Sequence, residues 1–98
     1  MIKVIEGYSV KKGKDISPLL FKIRTAALTY PGYITGESLQ GFGDSSHMVV
    51  STTWQSIEAW HTWEHSRIRA MLHEEFEAML FDNPQVTVYT IMPTQRWG

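Results

Sequence analysis

The chain contains no cysteine. That excludes disulfides, a thiolate nucleophile and any zinc site built on sulfur. Long hydrophobic runs are missing too. Nothing approaches the ~20 consecutive apolar residues that cross a bilayer, so no membrane partner is expected. The opening segment, Met1 to Gly13, lacks the layout of an export signal, and a soluble, cytoplasmic protein is the expectation. An excess of either charge is also absent. Nine basic and ten acidic residues leave a formal net charge of −1, which argues against nucleic acid as a partner. Lys11, Lys12 and Lys14 cluster around Gly13 as a solvated turn.

Aromatic residues, by contrast, are plentiful. Four tryptophans in 98 residues suggest an aromatic-lined pocket, a buried interface, or both. A chain of this length is expected to form one domain over residues 1–98. It buries only about two-thirds of its unfolded surface, so a deep pocket competes with the core for apolar side chains. Dimerisation relieves that competition.

Residues 2–10 alternate apolar and polar positions, the period of a half-buried strand. Ser17-Pro18 reads as an N-cap followed by proline in the first turn. Leu19, Leu20, Ile23, Ala26 and Ala27 then recur at helical spacing until Pro31-Gly32. Residues 33–42 and 47–54 form two further strands across the Gly43-Asp44-Ser45-Ser46 turn, an antiparallel hairpin. Ser56 caps a short helix. Ser66 caps a second helical stretch running to about Leu80, with Ile68, Met71, Leu72, Phe76 and Met79 as its apolar set. Residues 86–92 make the last strand. The order β-α-β-β-α-β predicts an α+β, ferredoxin-like domain: a four-stranded antiparallel sheet with the helices on one face. The bare face needs cover, and a second copy of the chain is the expected cover.

His61-Thr62-Trp63-Glu64-His65 fits the zinc-peptidase pattern H-x-x-E-H. That chemistry needs a third ligand far downstream, and only 33 residues follow His65. At about 100° per residue, Ile57, Trp60 and Trp63 share a face, and His61 and His65 fall beside it, at the solvent boundary. A resident metal is therefore not expected.

Glu6 is the polar anomaly. It shares a strand face with Ile2, Val4, Tyr8 and Val10, which ought to be buried. A buried carboxylate must find a donor or take up a proton. It is either a structural acceptor, for a Tyr or Arg, or a general base with its pKa raised. Glu37, on the second strand, poses the same question more weakly. His73 falls at the edge of its helix's apolar set. It either faces water or lines a cleft as a ligand or an acid-base group.

The stretch Ser51-Thr52-Thr53-Trp54-Gln55-Ser56-Ile57-Glu58-Ala59-Trp60-His61-Thr62-Trp63-Glu64-His65-Ser66 resembles the antibiotic biosynthesis monooxygenase (ABM) family. That family has a strand ending in Trp, then a small polar residue, an acidic residue, Ala, an aromatic and a second Trp before Ser. Pro31-Gly32 and the Lys11-Lys12-Gly13-Lys14 turn resemble it as well. The resemblance implies a homodimeric α/β barrel whose two sheets pack face to face. It implies an oxidoreductase, a monooxygenase acting on a small aromatic molecule with dioxygen. In one branch no cofactor is used, because the deprotonated substrate itself activates dioxygen. Glu6, Trp63 and His73 would then be the catalytic residues, with Tyr8, Trp60 and Trp63 binding the substrate.

The other branch, the IsdG-type haem-degrading enzymes, implies haem as cofactor. Trp63 matches its helical Trp, and His73, ten residues on, its axial His. Its first-strand Asn falls at Glu6, or at Gly7 on a one-residue shift, and no Asn is present there. An ionised Glu only accepts where Asn donates. The leading expectation is therefore cofactor-independent oxidation, with haem binding through His73 as the alternative. A third reading is a dimeric module that binds a small molecule without turnover.

Overall fold

The computed structural model describes residues 1–93. Its elements are β1 (Ile2–Ser9), α1 (Ser17–Ala27), β2 (Tyr33–Gln40), β3 (His47–Trp54), α2 (Ile57–Glu64), α3 (Arg67–Phe76) and β4 (Gln85–Thr90). The four strands form one antiparallel sheet in the order β2-β3-β1-β4. This is the expected α+β, ferredoxin-like arrangement.

Alternation along β1 buries Val4, Glu6 and Tyr8 on one face. Val10 continues that face through an isolated bridge to Leu80. Leu20, Ile23, Trp60, Trp63 and Phe76 from the three helices complete one core with Val4, Tyr8, Val50 and Trp54. In this core Trp54 and Trp60 meet at a ring separation of 6.0 Å. The indole of Trp54 donates to Thr52 Oγ1 at 3.0 Å, which satisfies its buried N–H.

Local signals explain most element boundaries. Ser56 Oγ accepts from the Ala59 amide and Ser66 Oγ from the Arg69 amide, each at 3.2 Å. Both expected caps form, and the helical region breaks at Ser66. The start of α1 differs from expectation. Ile16 holds the N-cap position without a side-chain cap, and Asp15 Oδ1 takes the Ser17 amide at 2.9 Å. Ser17 is thus the first helical residue rather than the cap. The strands and α3 also end earlier than periodicity alone suggests: β2 at Gln40, β4 at Thr90 and α3 at Phe76.

Between α1 and β2 the chain turns at Gly32, whose φ is +89°. A Cβ built there would lie 2.5 Å from Ala59 Cβ. Glycine is needed twice over, for the left-handed backbone and for the close passage of α2. The Gly32 carbonyl accepts from the Gln55 amide at 2.8 Å, which ties this turn to the end of β3.

One expected helix face is rotated. Ile68 and Met71 are exposed, whereas Arg69, Leu72, His73 and Phe76 point inward. These four recur at i, i+3, i+4 and i+7, one face of α3. Glu37 is likewise placed differently from the face that holds Glu6. It is exposed and lies beside Lys3, Ser51 and Thr53 on the opposite side of the sheet. Among the described residues, no helix is long and apolar enough to cross a membrane.

Candidate active site

The centre of the helix-covered sheet face carries a carboxylate. Glu6 pairs with Val50 on β3 and Val86 on β4, so the strand order puts it on a central strand beneath α3. It is only 4% exposed. Its Oε2 collects three neighbours. Arg69 Nη2 donates at 2.9 Å, and the Tyr8 hydroxyl donates at a long 3.4 Å. His73 Nε2 lies at 3.9 Å, within ion-pair range but too far for a hydrogen bond.

These three neighbours arrive by simple periodicities. Tyr8 is two residues along β1, on the same face. Arg69 and His73 are one helical turn apart on α3. The Arg69 guanidinium carbon also sits 5.4 Å from the centre of the Trp60 ring, a cation–π distance. Phe76 closes the group, stacking on Tyr8 at 5.0 Å and meeting His73 edge-on at 5.3 Å.

Burial sets the electrostatics. It pushes the Glu6 carboxyl above the ordinary carboxylate range, against the opposing pull of the Arg69 guanidinium. Burial also lifts the Tyr8 hydroxyl well above its ordinary value, aided by the Glu6 charge. For His73, burial and then the Arg69 charge bring the pKa down to about 4. Its imidazole is therefore neutral at physiological pH.

Hydrogen-bonding capacity is left over in this group. Arg69 Nε, Trp60 Nε1 and His73 Nε2 are buried without a protein partner. Buried polar atoms are seldom left unpaired, so these are available to a water or a bound molecule.

Glu6 and His73 are thus brought together, with Tyr8 beside them. Trp60 joins through Arg69. Trp63 is buried in the same core, but its aromatic partner is Tyr30, at 5.0 Å and edge-on. It takes no part in the contacts around Glu6 Oε2. Tyr8, Trp60 and Trp63 are each packed to within 2% of complete burial.

A cleft of about 440 Å³ opens beside this group, lined by His73, Phe76, Leu80, Phe81 and Pro84 among others. His73 and Phe76 are the members of the Glu6 group with a face on the cleft, and His73 is the titratable one. Arg69 is the residue that sequence reasoning missed. The signal was present: a carboxylate on a buried strand face calls for a cation, and Arg69 stands one turn before His73.

His61 and His65 are exposed, as expected. His61 Nδ1 lies 2.9 Å from Glu64 Oε1.

For a haem to be held by His73, its Nε2 would have to face the iron. Here that atom is buried against Glu6 Oε2. The imidazole as placed does not fit an axial ligand.

No protein-family profile matches the sequence, and no curated protein does. Solved structures do match. An antibiotic biosynthesis monooxygenase superposes with a TM-score of 0.84 at 18% identity, covering 95% of this chain and 100% of its own. SnoaB, a cofactor-independent oxygenase from Streptomyces nogalater, gives 0.84 at 12% identity, covering 95% and 94%. A Deinococcus radiodurans protein provisionally classed with the antibiotic biosynthesis monooxygenases gives 0.88 at 15% identity, covering 100% and 99%. At these identities the likeness establishes the fold, which this chain shares with antibiotic biosynthesis monooxygenases along nearly its whole length.

Proposed function

We propose that the protein is a small monooxygenase that oxidises a flat, electron-rich aromatic molecule with dioxygen, without flavin or metal. The observation that carries the proposal is the buried Glu6 carboxylate set 3.9 Å from a neutral His73 that lines a cleft. SnoaB, a cofactor-independent oxygenase of the same fold, lends support.

In this reading a substrate with an acidic C–H or O–H enters the cleft against Phe76 and Phe81. The Glu6–His73 pair takes its proton. With its pKa raised above the ordinary carboxylate range while that of His73 falls to about 4, Glu6 is the stronger base of the two, while His73 is the member that meets the cleft. The deprotonated ring is electron-rich enough to react with dioxygen directly. For a ring methylene, one oxygen atom ends as the new carbonyl and the other leaves as water with the two hydrogens. Arg69 and Tyr8 hold the Glu6 carboxylate in place. Tyr8 and Trp60 back the Glu6 group from within the core, and neither they nor Trp63 lines the cleft, so substrate contact falls to His73, Phe76 and Phe81.

The second copy of the chain belongs to the same proposal. On the sheet face opposite Val4 and Glu6, Leu39 on β2 and Tyr89 on β4 remain about half exposed. Such a surface fits a homodimer whose sheets cover one another.

Oxygen uptake with a panel of anthrones and hydroquinones tests the reaction. Turnover by the wild type is expected, with a loss of about 10²-fold or more in Glu6→Gln, the span of general base catalysis. Absence of uptake across the panel, or full activity in Glu6→Gln, would refute the reading.

A further inference from the structure

The last turn of α2 carries a second group of titratable side chains, separate from the Glu6 group. His61, Glu64 and His65 each offer one ligand atom, and these atoms all lie within 4.8 Å of one another. His61 Nδ1 is 2.9 Å from Glu64 Oε1, and His65 Nε2 is 3.6 Å from the same oxygen. Two ligand atoms each ~2.1 Å from one ion stand about 3.0 Å apart at a right angle and about 3.4 Å apart at a tetrahedral angle. Both measured spacings are close to that range. The helix supplies them directly, since i, i+3 and i+4 share one face.

The ring orientation of His65 is also set. Its Nδ1 lies 3.0 Å from the His61 carbonyl oxygen. A carbonyl only accepts, so Nδ1 carries the proton and Nε2 presents its lone pair towards Glu64. An imidazole anchored through its far nitrogen to a backbone carbonyl is the usual outer support of a histidine ligand. The two rings stack at 5.8 Å with a 30° tilt.

We propose that His61, Glu64 and His65 bind one divalent transition-metal ion of the zinc or nickel class. Two imidazoles and one carboxylate suit such ions, whereas magnesium and calcium prefer oxygen donors. Binding through His61 Nδ1 requires the proton on that nitrogen to be exchanged for one on Nε2, so that the ring ligates as a neutral imidazole and no net proton is released. Three protein ligands leave the remaining coordination positions facing outward, open to water or to a donor from another molecule. Here Glu64, which in the H-x-x-E-H peptidase pattern is the general base, is itself the third ligand, so the site is complete within one helical turn.

Calorimetric titration of the untagged full chain with zinc chloride and, separately, nickel chloride tests this. One ion per chain is expected. His61→Ala and His65→Ala should each weaken binding about tenfold or more, as losses around a metal site do. Glu64→Gln should weaken it less. His47→Ala, a change outside the group, should leave it intact. The two ligand histidines are more than half exposed, so the variants should fold, and circular dichroism checks that. Zinc should raise the melting temperature of the wild type but not of His65→Ala. No binding by the wild type at millimolar metal overturns the proposal. So does equal binding by wild type and His65→Ala, or loss of binding in His47→Ala.

Discussion

Arg69 Nη2 stands 2.9 Å from Glu6 Oε2, and both side chains are largely withdrawn from water. The pair joins α3 to the central strand β1 across 63 residues of sequence. Breaking a buried pair from one side leaves the other charge uncompensated, which costs about 3–5 kcal/mol. Arg69→Met should therefore destabilise the fold by roughly 3 kcal/mol in urea unfolding. It should also drive the Glu6 pKa higher still, since the guanidinium is what holds it down. The double variant Glu6→Gln/Arg69→Met should recover part of the loss. Additive losses would mean that the pair is not coupled.

The two ionisable groups beside Arg69 give opposite pH dependences. Folded His73 has a pKa of about 4 against an ordinary 6.5. Between those values the unfolded chain binds the proton and the folded chain does not. The contribution of His73 is complete above about 6.5 and is lost as pH falls towards 4. Glu6, with a raised folded pKa, holds its proton longer in the folded state. Its contribution favours the fold at low pH and declines as pH rises through the raised value. In His73→Phe the fall in stability between pH 6.5 and 4 should become shallower, as measured by unfolding midpoints across that range. An unchanged slope would show that the imidazole is not held neutral.

Gly32 has φ +89° and stands against Ala59. Gly32→Ala meets both constraints at once, a left-handed backbone and a methyl group inside the contact distance of α2. A loss of about 1–3 kcal/mol follows from the backbone strain alone. Chemical denaturation measures it. Gly13, also at positive φ but with open space around it, should lose less on the same change.

The uncovered face of the sheet centres on Ile5, which lies between Ser51 and Thr87 in register. If two copies pack there, Ile5→Glu places two like charges in the interface and the dimer should separate. Sedimentation velocity would report a dimer for the wild type and a monomer for the variant, with the melting profile showing that the variant still folds.

Haem offers a further check. With His73 Nε2 turned onto Glu6, added haem should give no Soret shift dependent on this residue. A shift present in the wild type and absent in His73→Ala would restore the axial-ligand reading.

Periodicity and end signals made most of the architecture legible. Strand alternation identified the buried face of β1, including Glu6. Ser56 and Ser66 marked the starts of α2 and α3, though Ser17 did not cap α1, because a hydroxyl three residues before a free amide is a local device. The phase of α3 was not legible in the same way. Hydrophobicity assigned Ile68 and Met71 to the core, yet the helix turns Arg69 and His73 inward instead. A buried carboxylate on β1 requires a donor, and that demand outweighs the gain from burying one more methionine. Histidine spacing showed that His61 and His65 could share a helix face. It did not show that Glu64 lies between them at ligand distance.

What the sequence determined by itself is therefore local and one-dimensional: the order of elements, their caps, the turn at Pro31-Gly32, and the presence of an acid where an apolar residue belongs. These follow from interactions among residues a few positions apart. Tertiary structure alone decided which cation meets that acid, that His73 looks both at Glu6 and into the cleft, and that Trp63 packs on Tyr30. Each of those depends on how α1, α2 and α3 settle on the sheet. That is governed by volume and by charge pairing between residues far apart in the chain, which no local pattern records.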